Sequence, residues 1–98
     1  MDFLQEDRYH ELSDLLLCFI ESDLDGYLED KDVVRDYKKK SYFKDVFGDL
    51  TDEVRSVLHM KPFPAEVIGD VSNRYFRTEQ EGRKWLTDIL MWLEDENL

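Results

Sequence analysis

Twelve consecutive residues carry the sharpest chemical pattern in this chain: Glu21-Ser22-Asp23-Leu24-Asp25-Gly26-Tyr27-Leu28-Glu29-Asp30-Lys31-Asp32. Laid on a twelve-residue calcium loop, this run places acids at positions one, three, five, nine and twelve. Gly26 falls at position six and Leu28 at position eight, where such a loop needs a sharp turn and an apolar side chain. Two departures weaken the match. Glu21 is longer than the Asp wanted at position one, and Asp32 is too short for the bidentate grip of a Glu at position twelve. No second, paired loop follows. The simpler reading is an acidic interhelical turn that caps the next helix, with an EF-hand-like calcium site as an alternative.

Other chemistry finds less support. Cys18 lies in an apolar run and reads as a small buried hydrophobe; as the sole cysteine it forms no internal disulfide. A nucleophilic Cys18 would need His10 or His59 as its base. The two histidines stand far apart, with no Cys or His at metal-ligand spacing. Ser13, Ser22 and Ser41 lack the setting of a nucleophile elbow. Gly26, Gly48, Gly69 and Gly82 are dispersed, so no phosphate-cradling loop forms. The expectation is a protein with no catalytic, metal or cofactor residues, and not an enzyme.

Charge points toward binding instead. The chain has 24 acidic and 13 basic residues in 98, a net charge of −11, yet 42% of it is hydrophobic and 13% aromatic. A disordered acidic tail lacks such apolar content, so the reading is one folded domain over residues 1–98 with a strongly negative surface. Such a surface suits a basic partner. It is repelled by nucleic-acid phosphates and anionic lipid, so neither direct nucleic-acid binding nor membrane association is expected. The basic cluster Lys38-Lys39-Lys40 with Lys44 reads as a helix C-terminus. The opening residues are acidic where an export signal is basic, and the longest apolar run, Leu15 to Ile20, is too short to span a bilayer. A cytoplasmic protein is expected; its oligomeric state is left open.

The elements that must position these residues read as helices. Tyr9, Leu12, Leu15, Leu16, Phe19 and Ile20 recur at helical spacing from about Asp7 to Ser22. A shorter helix is predicted from about Glu29 to Lys40, with Val33, Val34 and Tyr37 inward. A third stripe runs from Phe43 to about Met60 with Ser41 as its N-cap; Gly48 weakens it, and Thr51 offers a restart as a second helix. Pro62 and Pro64 interrupt the pattern. Beyond them the sequence suggests a short helix near 65–70, a loop through Ser72-Asn73 and a brief strand at Tyr75-Phe76-Arg77. The last helix is predicted from Gln80 to Glu94, opened by Thr78 and Glu81 as a capping box. The fold class is therefore all-α, a compact single-domain bundle of four or five helices. Tyr9, Phe19, Phe43, Phe47 and Trp85 belong to the core; Tyr27, Tyr42 and Trp92 fall off the stripes, as interface anchors do.

The order of these features resembles a family of small immunity proteins from bacterial contact-dependent growth inhibition systems. The resemblance rests on the leucine-rich stretch Leu12-Ser13-Asp14-Leu15-Leu16-Leu17-Cys18-Phe19-Ile20-Glu21-Ser22-Asp23-Leu24, on Asp32-Val33-Val34-Arg35-Asp36-Tyr37, and on Trp85-Leu86-Thr87-Asp88-Ile89. Ile20 and Leu24 stand where the family has aromatics, and neither the lysine triplet nor the Pro62–Pro64 segment has a counterpart. The resemblance implies a cytoplasmic antidote that binds the C-terminal toxin domain of a cognate effector, often a nuclease and in some cases a tRNase. Independently, an acidic protein can occupy the basic groove where a nuclease holds phosphates, and complementary charge speeds association. The toxin-binding surface expected from the residues is Asp23, Asp25, Glu29, Asp30, Asp32 and Asp36, with Tyr27 as the apolar anchor; Asp23 has a second reading as a structural residue that bonds the turn after the first helix. The alternative function is an acidic nucleic-acid mimic that inhibits another DNA- or RNA-binding enzyme.

Overall fold

A computed structural model of the chain describes residues 3–25 and 29–98. Within them the chain forms five α-helices: α1 (His10–Asp25), α2 (Asp30–Lys38), α3 (Phe43–Leu58), α4 (Ala65–Ser72) and α5 (Glu79–Glu94). Two 3-10 turns, Phe3–Gln5 and Asp7–Tyr9, precede α1. The all-α bundle expected from the periodicity is the fold observed, with no strand among the described residues. Helices α1 and α5 each pack against α2, α3 and α4. They meet across the core where Phe19 stands 5.0 Å from Trp85, edge to face.

The core follows the sequence stripes. Leu12, Leu15, Leu16 and Phe19 of α1 are buried with Val33, Val34 and Tyr37 of α2, Leu50, Val54 and Val57 of α3, and Leu86, Ile89 and Leu93 of α5. Phe43, Phe47 and Trp85 are only partly buried, as is Cys18. Trp92 also packs partly against the core, whereas Tyr42 stays about half exposed as its off-stripe position suggested.

Several local expectations change. Helix α3 runs unbroken through Gly48, and Tyr42 rather than Ser41 occupies its N-cap. Thr51 starts nothing: its buried hydroxyl donates back to the carbonyls of Phe47 (3.0 Å) and Gly48 (3.2 Å). Burial of Leu50, Val54 and Val57 outweighs the weak helix propensity of one glycine. Phe63, between the two prolines and after a cis Lys61-Pro62 bond, turns inward into the core. Helix α4 extends to Ser72 and stops at Asn73, whose backbone is left-handed (φ 59°). Residues 75–77 alternate outward and inward as a strand would, but no second strand pairs with them among the described residues. At α5, Thr78 Oγ1 accepts from Glu81 N–H (3.1 Å) as the capping pattern requires, while the Glu81 carboxylate accepts from Arg77 N–H (2.7 Å).

Charged side chains from distant elements finish other helix ends. Lys38 Nζ donates to the carbonyls of Trp92 (2.8 Å) and Asp95 (2.6 Å), so it closes α5 rather than its own helix. Arg83 donates to the carbonyls of Leu58 and Met60 at the end of α3. The core leaves one polar group unmet: the Tyr37 hydroxyl, buried with no hydrogen-bond partner among the described residues. Burial pushes its ionisation well above the usual phenol range. A buried unpaired hydroxyl costs about 1–3 kcal/mol. Tyr37→Phe should therefore unfold at higher urea than the parent, by about 1 kcal/mol; a loss of stability would show that the hydroxyl is satisfied in solution.

Candidate functional site

The acidic turn expected to face a partner is partly committed to the protein itself. Asp30 is the first residue of α2, where the helix dipole favours a carboxylate. Its Oδ1 accepts from Arg74 Nη2 (2.5 Å) and Nε (3.2 Å), and its Oδ2 accepts from Trp85 Nε1 (2.7 Å). Asp23, in the last turn of α1, accepts through Oδ2 from Arg74 Nη1 (2.7 Å) and Asn73 Nδ2 (2.9 Å). Arg74 also donates to the carbonyls of Ser72 (3.2 Å) and Asn73 (3.1 Å) at the end of α4. Its guanidinium carbon sits 5.4 Å from the Phe19 ring centroid. One side chain thus ties α1, α2 and α4 together above the Phe19–Trp85 contact.

Local backbone makes this possible. Asn73 turns the chain back after α4, and Arg74 N–H bonds the Gly69 carbonyl (2.8 Å). A Cβ on residue 69 would lie 2.6 Å from the Arg74 carbonyl oxygen, so only glycine admits the returning chain. The hydrogen bonds from Asn73 and Arg74 hold the Asp23 carboxyl below its usual ionisation range.

The remaining candidates divide. Asp32 closes a capping box with Glu29, whose N–H lies 3.4 Å from Asp32 Oδ2, and pairs with Arg35 at 2.6 Å. Asp36 stands outward, 4.0 Å from Lys39. Glu29 is exposed. Asp25 ends α1, and Tyr27, the expected anchor, lies outside the described residues. The second reading of Asp23 as a structural residue fits its contacts with Asn73 and Arg74 after α4; the turn after α1, at 26–28, lies outside the described residues. The calcium reading meets a different geometry. Helix α1 continues through Asp25, so Asp23 lies about 200° around the helix from Glu21 instead of converging with it. Asp23 and Asp30 already hold a guanidinium. Among the described residues no group of three or more His, Cys, Asp or Glu side chains converges as a metal site would require.

Candidate nucleophiles and bases are equally dispersed. Burial raises the ionisation of the Cys18 thiol, which lies 3.4 Å from the Asp14 carbonyl. His10 is exposed, 3.4 Å from Asp14, and exposed His59 caps α3 through its backbone.

A larger acidic feature, invisible in the sequence, opens at the other end of α1. Asp7 and Glu11 face Asp49, Asp52 and Glu53 of α3 across a cleft of about 540 Å³. Arg8 and His10 also line it, each beside an acid outside the cleft: Arg8 pairs with Glu6 (2.7 Å) and His10 lies 3.4 Å from Asp14. Arg55 pairs with Glu94 (2.5 Å) and lies 4.0 Å from Asp52. Half-buried Glu53 accepts the Leu12 N–H (3.0 Å), one of the donors at the start of α1 that lack a partner within the helix. Burial raises the Glu53 carboxyl above its usual range, with Glu11 and Asp49 adding to the effect against the Leu12 hydrogen bond. Chain positions 7–11 and 49–53 carry no common sequence signal; only packing of α1 on α3 brings them together.

Two measurements check this account. Arg74→Ala should destabilise the fold by about 2 kcal/mol, because it takes the guanidinium from half-buried Asp30; Arg74→Lys, which keeps the charge but lacks the planar fork, should fall between. For Glu53, a raised folded-state value means that its contribution to stability is full below the unfolded carboxylate value and is lost as pH rises through the folded one. Glu53→Gln keeps an oxygen acceptor for Leu12 N–H, so the difference in stability between variant and parent should grow in the variant's favour above about pH 4.5. A difference independent of pH would refute the assignment. No protein-family model, curated protein or solved structure matches the chain.

Proposed function

We propose that this protein is an immunity protein: a stoichiometric antidote that binds the basic toxin domain of a contact-dependent growth inhibition effector, with a nuclease as the favoured target. The single observation that carries the reading is the open carboxylate cleft between the start of α1 and α3, where Asp7, Glu11, Asp49, Asp52 and Glu53 gather. Carboxylates held on packed helices need little reordering to meet arginines and lysines, and they raise the rate of encounter with a cationic groove. An antidote needs that speed. The net charge of −11 works in the same direction over longer range.

The acidic turn contributes less than its composition suggests, because Arg74 engages both Asp23 and Asp30 and offsets part of their charge. Glu29 and Asp36 remain available for a partner. No helix among the described residues is long and apolar enough to cross a membrane. Binding without catalysis is the reading adopted, with no cofactor or metal.

The test is rescue of bacteria that express the toxin domain encoded beside this gene, with copurification of the pair. Wild type should rescue growth, and the affinity of the complex should fall steeply as salt rises. Asp49→Lys with Asp52→Lys should abolish rescue and flatten the salt dependence, whereas Glu29→Lys with Asp36→Lys should weaken binding less. A complex equally tight at low and high salt would overturn the electrostatic reading. Copurification with a housekeeping DNA-binding enzyme instead would favour the nucleic-acid mimic.

A further inference from the structure

Beside the Arg74 knot, the chain from Arg74 to Glu79 runs along α4 and leaves a groove of about 500 Å³ between them. Its apolar lining comes from Phe63, Ala65 and Phe76. Both ends of this segment are fixed. Arg74 is held by Asp23 and Asp30, and Glu79 accepts the Phe63 N–H while it pairs with Arg83 (3.1 Å). On this pinned wall stands Tyr75, 86% exposed, the most exposed large hydrophobic side chain among the described residues. Apolar rings displayed on rigid backbone are the usual anchors of protein interfaces, because little conformational freedom is lost when they bind.

The opposite wall, α4, is electrostatically unfinished. Glu66 and Asp70 are four residues apart on one helix face, both exposed, and neither pairs with a cation among the described residues. Like charges at this spacing destabilise a helix. Asp70 also sits near the negative end of the α4 dipole, where a cation is favoured, and the last turn of α4 has no basic residue. The groove therefore offers an apolar floor for an alkyl stem, two free carboxylates for a cationic head and an aromatic face beside them. Arg77 is the one groove cation without an ion-pair partner among the described residues, and it opposes this arrangement from the Tyr75 wall.

We propose that the groove between α4 and residues 74–79 receives an arginine side chain from the basic partner, with its guanidinium between Glu66 and Asp70 and against Tyr75. This deepens the immunity reading and rests on it for the identity of the partner, but its chemistry is testable alone. The probe is N-acetylarginine amide, titrated into isotopically labelled protein and followed by amide shifts; N-acetylcitrulline amide, its neutral isostere, is the control. Arginine should give saturable shifts centred on Glu66, Asp70 and Tyr75, and citrulline should not. Glu66→Gln with Asp70→Asn should remove these shifts, Tyr75→Ala should weaken binding about threefold, and Arg77→Gln should tighten it. All four positions are exposed, so the variants leave the core untouched. Arginine shifts scattered evenly over the acidic surface, or shifts that persist in the Glu66/Asp70 variant, would overturn the proposal. That result would leave growth rescue intact, while failed rescue with localised arginine shifts would count against the antidote reading alone.

Discussion

An α-helix leaves its first N–H groups and its last carbonyls without partners, and a bundle of five short helices multiplies that deficit. Here long charged side chains from other elements meet much of it. Glu53 serves the start of α1, Arg83 the end of α3 and Lys38 the end of α5. Arg74 closes α4 and, in the same act, joins α1 and α2 through Asp23 and Asp30. A lysine could not do this, since the fork of the guanidinium supplies several donors in one plane. These bonds decide how the helices sit and which acids remain free, so the surface presented to a partner depends on them.

The same economy explains how so acidic a chain stays folded. Self-repulsion at −11 opposes compaction. Against it stand the apolar stripes of all five helices and the edge-to-face rings of Phe19, Trp85 and their neighbours. Part of the positive charge is used within the fold: Arg35, Arg55, Arg74 and Arg83 all hold carboxylates. These four arginines serve the fold, while the surplus of acids leaves the surface negative.

Local chemistry is legible in the sequence, and chemistry between distant residues is not. Within the acidic run at residues 21–32, the expected capping of the next helix is present in the Asp32–Glu29 contact. Its acids, however, looked alike on paper. Asp23 and Asp30 are engaged, Asp32 is shared with Arg35, and Asp36 is nearly free. The residue that sorts them, Arg74, lay in the least legible stretch of the chain. The alternation at Tyr75-Phe76-Arg77 read as a strand because inward and outward positions do alternate there; with nothing to pair with, the segment instead became the wall of a groove.

The sequence by itself determined an all-α bundle of four or five helices, most of the faces they bury and the sign of the surface, because helical periodicity and net charge are properties of neighbouring residues and of sums. Only the tertiary structure decided which charges cancel. Arg74 finds Asp30 across 44 positions and Asp23 across 51, and Trp85 reaches Asp30 across 55. The cleft of Asp7, Glu11, Asp49, Asp52 and Glu53 likewise exists only once α1 lies on α3. Electrostatic interaction depends on distance in space and on burial, and neither is written in the order of the residues.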